Sequence, residues 1–126
     1  MNSMLDRAGI LAGITCSVHC VAHGLLPAAF ALGIFLGPML EWTLVVLAVV
    51  FAVGGGLAGL RTHGSLTVVL PMFVFAALLP AGRFLGELLP GGELTWGVVA
   101  GLGLAIAHFL NLRACARKRN HPQELQ

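Results

Sequence analysis

The sequence predicts an all-α protein, a four-helix transmembrane bundle formed by a single domain. Of its 126 residues, 58% are hydrophobic and only 10% are charged, and the mean hydropathy is +0.94. A soluble domain carries about 25% charged residues, so a soluble globular fold is excluded. The apolar segments lack the alternation of barrel strands, which leaves helices as the structure that satisfies the backbone in lipid. The net charge of +2 gives no reason to expect a nucleic-acid partner.

Charged residues divide the chain into four long uncharged segments. About 20 helical residues cross the hydrocarbon core of a bilayer. Three segments have that length, and the first is long enough for one span and a connection. The predicted spans are Ala8–Phe35, Trp42–Leu60, Ser65–Leu85 and Leu94–Ala114, followed by a polar tail over residues 115–126.

The basic residues are distributed unevenly between the two sides of this bundle. Only Arg83 lies on the side of the first and third connections. Because basic residues concentrate on the cytoplasmic side, both termini are expected in the cytoplasm. Trp42 and Trp96, each at the outer start of a span, fit the interfacial position of tryptophan. The basic residues on the predicted cytoplasmic side are Arg7, Arg61, Arg113, Arg117, Lys118 and Arg119.

The first span contains the group of side chains that is most suggestive of chemistry. Cys16, His19, Cys20 and His23 are spaced i, i+3, i+4 and i+7, which places two thiols and two imidazoles on one helix face. These ligand types bind soft and borderline metal ions such as Zn(II) and Cu(I). Polar side chains within spans are costly and tend to mark functional sites. Metal binding is therefore predicted, with purely structural packing as the alternative.

One helical turn cannot surround a tetrahedral ion, so a further ligand is expected from another helix. His108 in the fourth span is the candidate, with Asn111 placed to orient it. In the first span, Pro27 removes the hydrogen bond to the carbonyl of His23. Together with Gly24, this proline predicts a kink that leaves a backbone oxygen available.

Two residues on the predicted cytoplasmic side are candidates for releasing an ion. His63 lies in the middle connection, and Cys115 lies just after the fourth span. A solvated loop histidine and an interfacial thiol without function are the alternatives. The run Gly54-Gly55-Gly56 predicts the tightest helix crossing, since small residues let helix backbones approach closely in lipid.

Several of these residues resemble a known family. The segment Asp6-Arg7-Ala8-Gly9, the group Cys16-Ser17-Val18-His19-Cys20, Pro27, His63 and the segment from Ala107 to Arg113 are similar to the MerC domain of bacterial inner-membrane mercury-resistance proteins. The resemblance covers about residues 5 to 115. It implies a four-helix inner-membrane protein that binds mercuric ion through first-helix thiols and passes it inward. Zn(II) and copper remain alternatives, because His19 and His23 add nitrogen ligands.

The leading hypothesis is therefore an integral membrane protein that binds, and transports, a metal ion. A haem protein with His19 or His23 and His108 as axial ligands is a second hypothesis, since paired histidines on facing helices ligate haem in membrane cytochromes. A third is a non-catalytic subunit of a larger membrane assembly, and a homo-oligomer or a membrane partner is compatible with each hypothesis. No carboxylate lies within the predicted spans and no nucleophile–base pair is visible, so no enzyme activity is expected.

Overall fold

The computed structural model describes residues 2–25, 37–86, 88 and 92–120. In this part of the chain no strand is found. Each helix is long and apolar enough to cross a membrane, which confirms the predicted all-α fold with four transmembrane helices. The helices are α1 (Asn2–Leu25), α2 (Gly37–His63), α3 (Leu66–Leu85) and α4 (Gly92–Asn120).

The helices pack as an up-and-down bundle. The most extensive contact is between α1 and α4. Helix α4 also packs against α3, and α2 contacts all three other helices. Helices α1 and α4 are antiparallel, since Gly9 faces His108 and Gly24 faces Leu94. We call the end formed by residues 2–6, 61–66 and 111–120 the terminal end, and the opposite end the distal end.

The side chains are arranged for an apolar surrounding. Small residues such as Ala48, Ala52 and Ala100 are fully buried between the helices. Large apolar side chains point outward instead, and Leu11 and Val18 are 65% and 62% exposed. An outer surface of this kind is suited to acyl chains rather than to water.

Among the described glycines, the closest approach to the backbone of another helix occurs between α1 and α4. A Cβ atom added to Gly13 would lie 2.6 Å from the carbonyl oxygen of Gly101, and one added to Gly101 would lie 2.8 Å from that of Gly13. At Gly55 and Gly56 an added Cβ meets only side chains. The prediction that residues 54–56 mark the tightest crossing is therefore wrong. Two facing glycines on different helices allow a closer approach than three on one helix.

Helix boundaries differ from the sequence prediction at three places that move a charged residue or a candidate residue onto a helix. Helix α1 begins at Asn2 and α2 at Gly37, so Asp6 and Glu41 lie on membrane helices, and both are buried. The prediction that no carboxylate lies within a span is wrong, because each carboxylate has a partner on another helix. Helix α4 continues to Asn120, so Cys115 lies on this helix rather than in a tail.

The connection between α2 and α3 is only two residues long. Gly64 has a φ of +69°, and its N–H donates to the carbonyl of Leu60 over 2.9 Å, as in a glycine helix cap. The N–H of Ser65 donates to Nδ1 of His63 over 3.0 Å. The connection therefore holds the His63 ring in one orientation at the terminal end.

Candidate metal site and a buried polar network

The two thiols of α1 lie together inside the bundle. Cys16 is 3% exposed and Cys20 is partly buried, and their thiol groups are close enough to interact directly. Cys20 also faces the backbone of α4, since a Cβ added to Gly97 would lie 2.6 Å from its Sγ. The predicted inward orientation of the two sulfur atoms agrees with this arrangement.

A narrow cavity of about 20 Å³ adjoins both thiols. A volume of that size holds a single water molecule, and it is far too small for an organic cofactor. Every helix contributes to its wall. The lining residues are Cys16, Cys20, Glu41, Val45, Leu79, Gly82, Arg83 and Gly97.

An ion pair lies beside the thiols at the distal end. The guanidinium of Arg83 on α3 contacts the carboxylate of Glu41 on α2, and the rings of Trp42 and Phe84 are 5.5 Å apart next to them. The carboxylate side chain is 11% exposed and the arginine side chain 27%. Sequence reasoning assigned both charges to connections and so missed them at the site. One sequence signal could have indicated this ion pair. Glu41-Trp42 at the start of one span and Arg83-Phe84 at the end of the next each place a charge beside an aromatic residue on the same side of the membrane.

The other candidates of the first span are placed differently. His19 is partly buried and does not belong to the described cavity lining. The side chain of His23 and the whole of Pro27 lie outside the described residues. Gly24 is part of α1, which stays helical to Leu25, and the kink at Pro27 remains a prediction.

His108 does not join the thiols, contrary to the sequence expectation. It faces Gly9, whereas Cys20 faces Gly97, and the eleven residues from Gly97 to His108 span about 16 Å of helix. The sequence allows the two depths to overlap, whereas the register between α1 and α4, set where Gly9 faces His108 and Gly13 faces Gly101, separates them. The same separation argues against haem, since His19 and His108 lie at different depths.

His108 instead belongs to a buried polar network at the terminal end. Asp6, His108 and Asn111 are each 0% exposed. Nδ1 of His108 lies 3.0 Å from Oδ1 of Asp6. The Nδ2 group of Asn111 donates to Oδ1 and Oδ2 of Asp6 over 2.9 and 3.1 Å. The carboxylate on α1 is thus held by two side chains of α4.

His63 extends this network to α2. Its Nδ1 accepts from Ser65, so the ring proton is on Nε2, which donates to Oδ1 of Asn111 over 2.8 Å. The amide group of Asn111 also lies 3.2 Å from the carbonyl oxygen of Gly55. Asn111 therefore links α1, α2 and α4. The sequence prediction that it orients His108 is replaced by a role in holding Asp6.

Cys115 lies on α4 beyond the network. Its thiol is partly buried and hydrogen-bonded to Thr62. The eighteen residues from Gly97 to Cys115 span about 27 Å of helix. Within the described part of the chain, no group of three or more His, Cys, Asp or Glu side chains is arranged to hold a metal ion. The two contacting thiols are the strongest soft-metal ligand set that the structure brings together.

Comparison with known proteins identifies a family. A family model described as MerC mercury resistance protein matches residues 6–113, which include the two thiols and the network from Asp6 to Asn111. No curated protein and no solved structure matches the chain. The resemblance inferred from the sequence is confirmed.

Proposed function

Because the chain belongs to the MerC mercury resistance family, we propose that it carries mercuric ion across a bacterial inner membrane, with Cys16 and Cys20 as the ligands. The family and the four apolar helices make the protein a multi-pass membrane protein of the mercury-resistance transport type. The observation that carries the finer proposal is the contact of the two thiols beside a cavity with room for one ion.

The ligand number favours a strongly thiophilic ion over zinc. Structural zinc sites use four ligands and catalytic sites three, whereas Cys16 and Cys20 supply two sulfur atoms. An ion that two thiolates satisfy fits this site better than one that needs four donors. His19 remains a candidate third ligand after a change of its rotamer, so zinc and copper are competitors to be measured rather than the primary cargo.

The net charge of the loaded site also suits a divalent ion. Two thiolates and one divalent cation form a neutral unit, and the neighbouring Glu41–Arg83 pair is neutral by itself. A net charge inside a bilayer is costly, so neutrality lowers the barrier to moving the ion. Binding releases the thiol protons, and ion affinity is expected to fall at low pH.

The proposed direction of movement follows from the positive-inside bias of the sequence. With both termini in the cytoplasm, the thiols and the Glu41–Arg83 pair belong to the periplasmic half. The ion enters there and exchanges its ligands for the two sulfur atoms. Release toward His63 and Cys115 stays a prediction, and it requires helix movement, because both ring nitrogens of His63 are hydrogen-bonded and Cys115 lies far along α4.

Replacement of both first-helix thiols tests the proposal. Protein purified in nanodiscs is loaded with mercuric chloride, washed with a monothiol competitor and assayed by elemental analysis. We expect about one mercury per wild-type chain and at least a tenfold loss of retained mercury in the Cys16→Ser/Cys20→Ser variant, since soft ions need thiolate ligands.

The matched control is Cys115→Ser, which removes a thiol outside the site. It is expected to keep wild-type stoichiometry. Equal retention by the double variant and the wild type would exclude the dithiol site. Parallel loading with Zn(II) and Cu(I) ranks the competing ions.

A further inference from the structure

A second ionisable group of side chains lies at the terminal end, separate from the thiols. The carboxylate of Asp6 and the imidazole of His108 are both fully buried and are 3.0 Å apart. This pair is not part of the proposed ion-binding step. Nε2 of His108 is buried with no hydrogen-bond partner among the described residues.

Among the described residues, the charges that face the pair leave its carboxylate without a permanent counter-ion. From α4 it faces Asn111, which is neutral, and Cys115 lies nearby. On α2, the carbonyl of Gly55 and the ring of His63 both contact the side-chain amide of Asn111, which in turn contacts the carboxylate. On α1, the side chain of Arg7 is exposed.

One added proton neutralises the net negative charge of the Asp6–His108 pair. An aspartate next to a neutral histidine carries a net charge of −1 inside the membrane, whereas an aspartate next to an imidazolium is a neutral pair. Uncompensated charges in spans are costly, and buried Asp and His groups recur in the proton relays of pumps and transporters. Removing one partner of a buried pair leaves the other charge unpaired.

We propose that Asp6 and His108 form a proton-binding site, in which His108 takes up one exchangeable proton at Nε2 while Nδ1–H stays on the Asp6 carboxylate. The site gives the protein a second dependence on pH that does not involve the thiols. It stands independently of the identity of the transported ion.

The packing around the pair excludes a larger cation. Atoms of the His108 ring occupy the space that a Cβ at Gly9 would need, and a Cβ at Gly55 would lie 3.0 Å from Oδ1 of Asp6. A metal ion at Nε2 would have to displace the backbone of α1. A proton adds no heavy atom, so it is the one cation that this arrangement accepts.

The same packing couples proton exchange to helix movement. Nε2 of His108 is covered by Gly9 on α1, so water reaches this nitrogen only when α1 and α4 separate locally. Helix α1 also carries the two thiols. Proton uptake and movement of the thiol-bearing helix are therefore linked through one helix contact.

Nitrogen NMR of the histidine rings tests the proposal without any metal. Protein with ¹⁵N-labelled histidine is studied in nanodiscs from about pH 5 to about pH 9, which brackets the ordinary histidine pKa of about 6.5. His108→Gln identifies the signal. We expect His108 to pass from imidazolium to the Nδ1–H neutral form in a single step as the pH rises. A ring that stays neutral over the whole range overturns the proposal.

Variants separate proton binding from a merely structural role. Asp6→Asn keeps the shape of the side chain but removes its charge, so the imidazolium of His108 loses its carboxylate partner and the His108 step is expected to be displaced or lost. His63→Gln removes the outer histidine and is expected to leave the step in place. An unchanged midpoint in Asp6→Asn overturns the assignment, and if that variant does not fold, the wild-type titration alone decides.

Discussion

The absence of a side chain at Gly9 is what allows His108 to lie inside the bundle. The ring occupies the space beside the Gly9 backbone, and the ring in turn positions the carboxylate of Asp6. At Gly59 the atoms of the Asn111 amide fill the same kind of space. The buried polar side chains of α4 are thus accommodated by glycines on the two facing helices.

Replacing Gly9 with alanine is expected to destabilise the protein. The added methyl group collides with the His108 ring, and overpacking of this kind costs about 1–3 kcal/mol. Gly54→Ala is the matched control, because its Cβ would lie 3.7 Å from the nearest atom of Leu5, an ordinary contact. Unfolding in a detergent titration followed by circular dichroism measures both variants, and equal stabilities would contradict the packing described at Gly9.

For single residues, the sequence identifies the candidate site residues better than it identifies the side chains that they contact. The shared helix face of Cys16 and Cys20 follows from helical spacing alone. The pairing of His108 with Asp6 joins residues 102 positions apart, and no local pattern contains that information. The adjacent charges of Asp6 and Arg7 predict the end of a span. The contact of Asp6 with His108 on α4 nevertheless allows its carboxylate to be buried.

Among the helices, α1 and α4 form the central pair. They contact each other at Gly9, Gly13 and Gly24 along the length of α1. Ser17 strengthens this contact, since its hydroxyl donates to the carbonyl of Gly13 over 3.0 Å and lies 3.4 Å from that of Val98 on α4. Any movement of the thiols relative to the rest of the bundle must therefore alter the α1–α4 contact.

A cysteine at position 97 is expected to form a disulfide with Cys20. A Cβ at this position would lie 3.5 Å from the Cβ of Cys20, within the range of about 3.5–4.5 Å found in disulfides. In a Cys115→Ser background, mild oxidation of Gly97→Cys should link α1 to α4, as seen by peptide mapping. Mercury retention should fall on oxidation and return on reduction, because the bond consumes one ligand.

Gly54→Cys is the control for this crosslink. A Cβ at position 54 would lie 3.7 Å from the nearest atom of Leu5, so a cysteine fits there without a collision and is not expected to react with either thiol of α1. Equal crosslinking of the two variants would show that α1 and α4 do not have the described register.

The number of helices was predictable because uncharged length is a local property of the sequence. Their register was not, since it depends on which glycines face each other. The run at residues 54–56 is the densest in the sequence, but the backbones approach most closely where Gly13 meets Gly101. Contacts between distant segments decide such details.

For the whole molecule, the distribution of basic residues predicts both termini in the cytoplasm. Single cysteines at the two ends, in a background without native thiols, test this orientation. Asn120→Cys at the exposed end of α4 should react with an impermeant maleimide only in inverted vesicles. Leu88→Cys, at a position 81% exposed near the distal end, should react only in intact spheroplasts. The reverse pattern would invert the proposed direction of transport.

The size of the cavity beside the thiols also determines whether other cations can leak through the bundle. At about 20 Å³ it has room for one water-sized particle, so sodium or potassium with a hydration shell does not fit. In the proposed function, the cargo enters by exchanging its water for the sulfur atoms of Cys16 and Cys20. The bundle can therefore remain in an energised membrane without draining its ionic gradients.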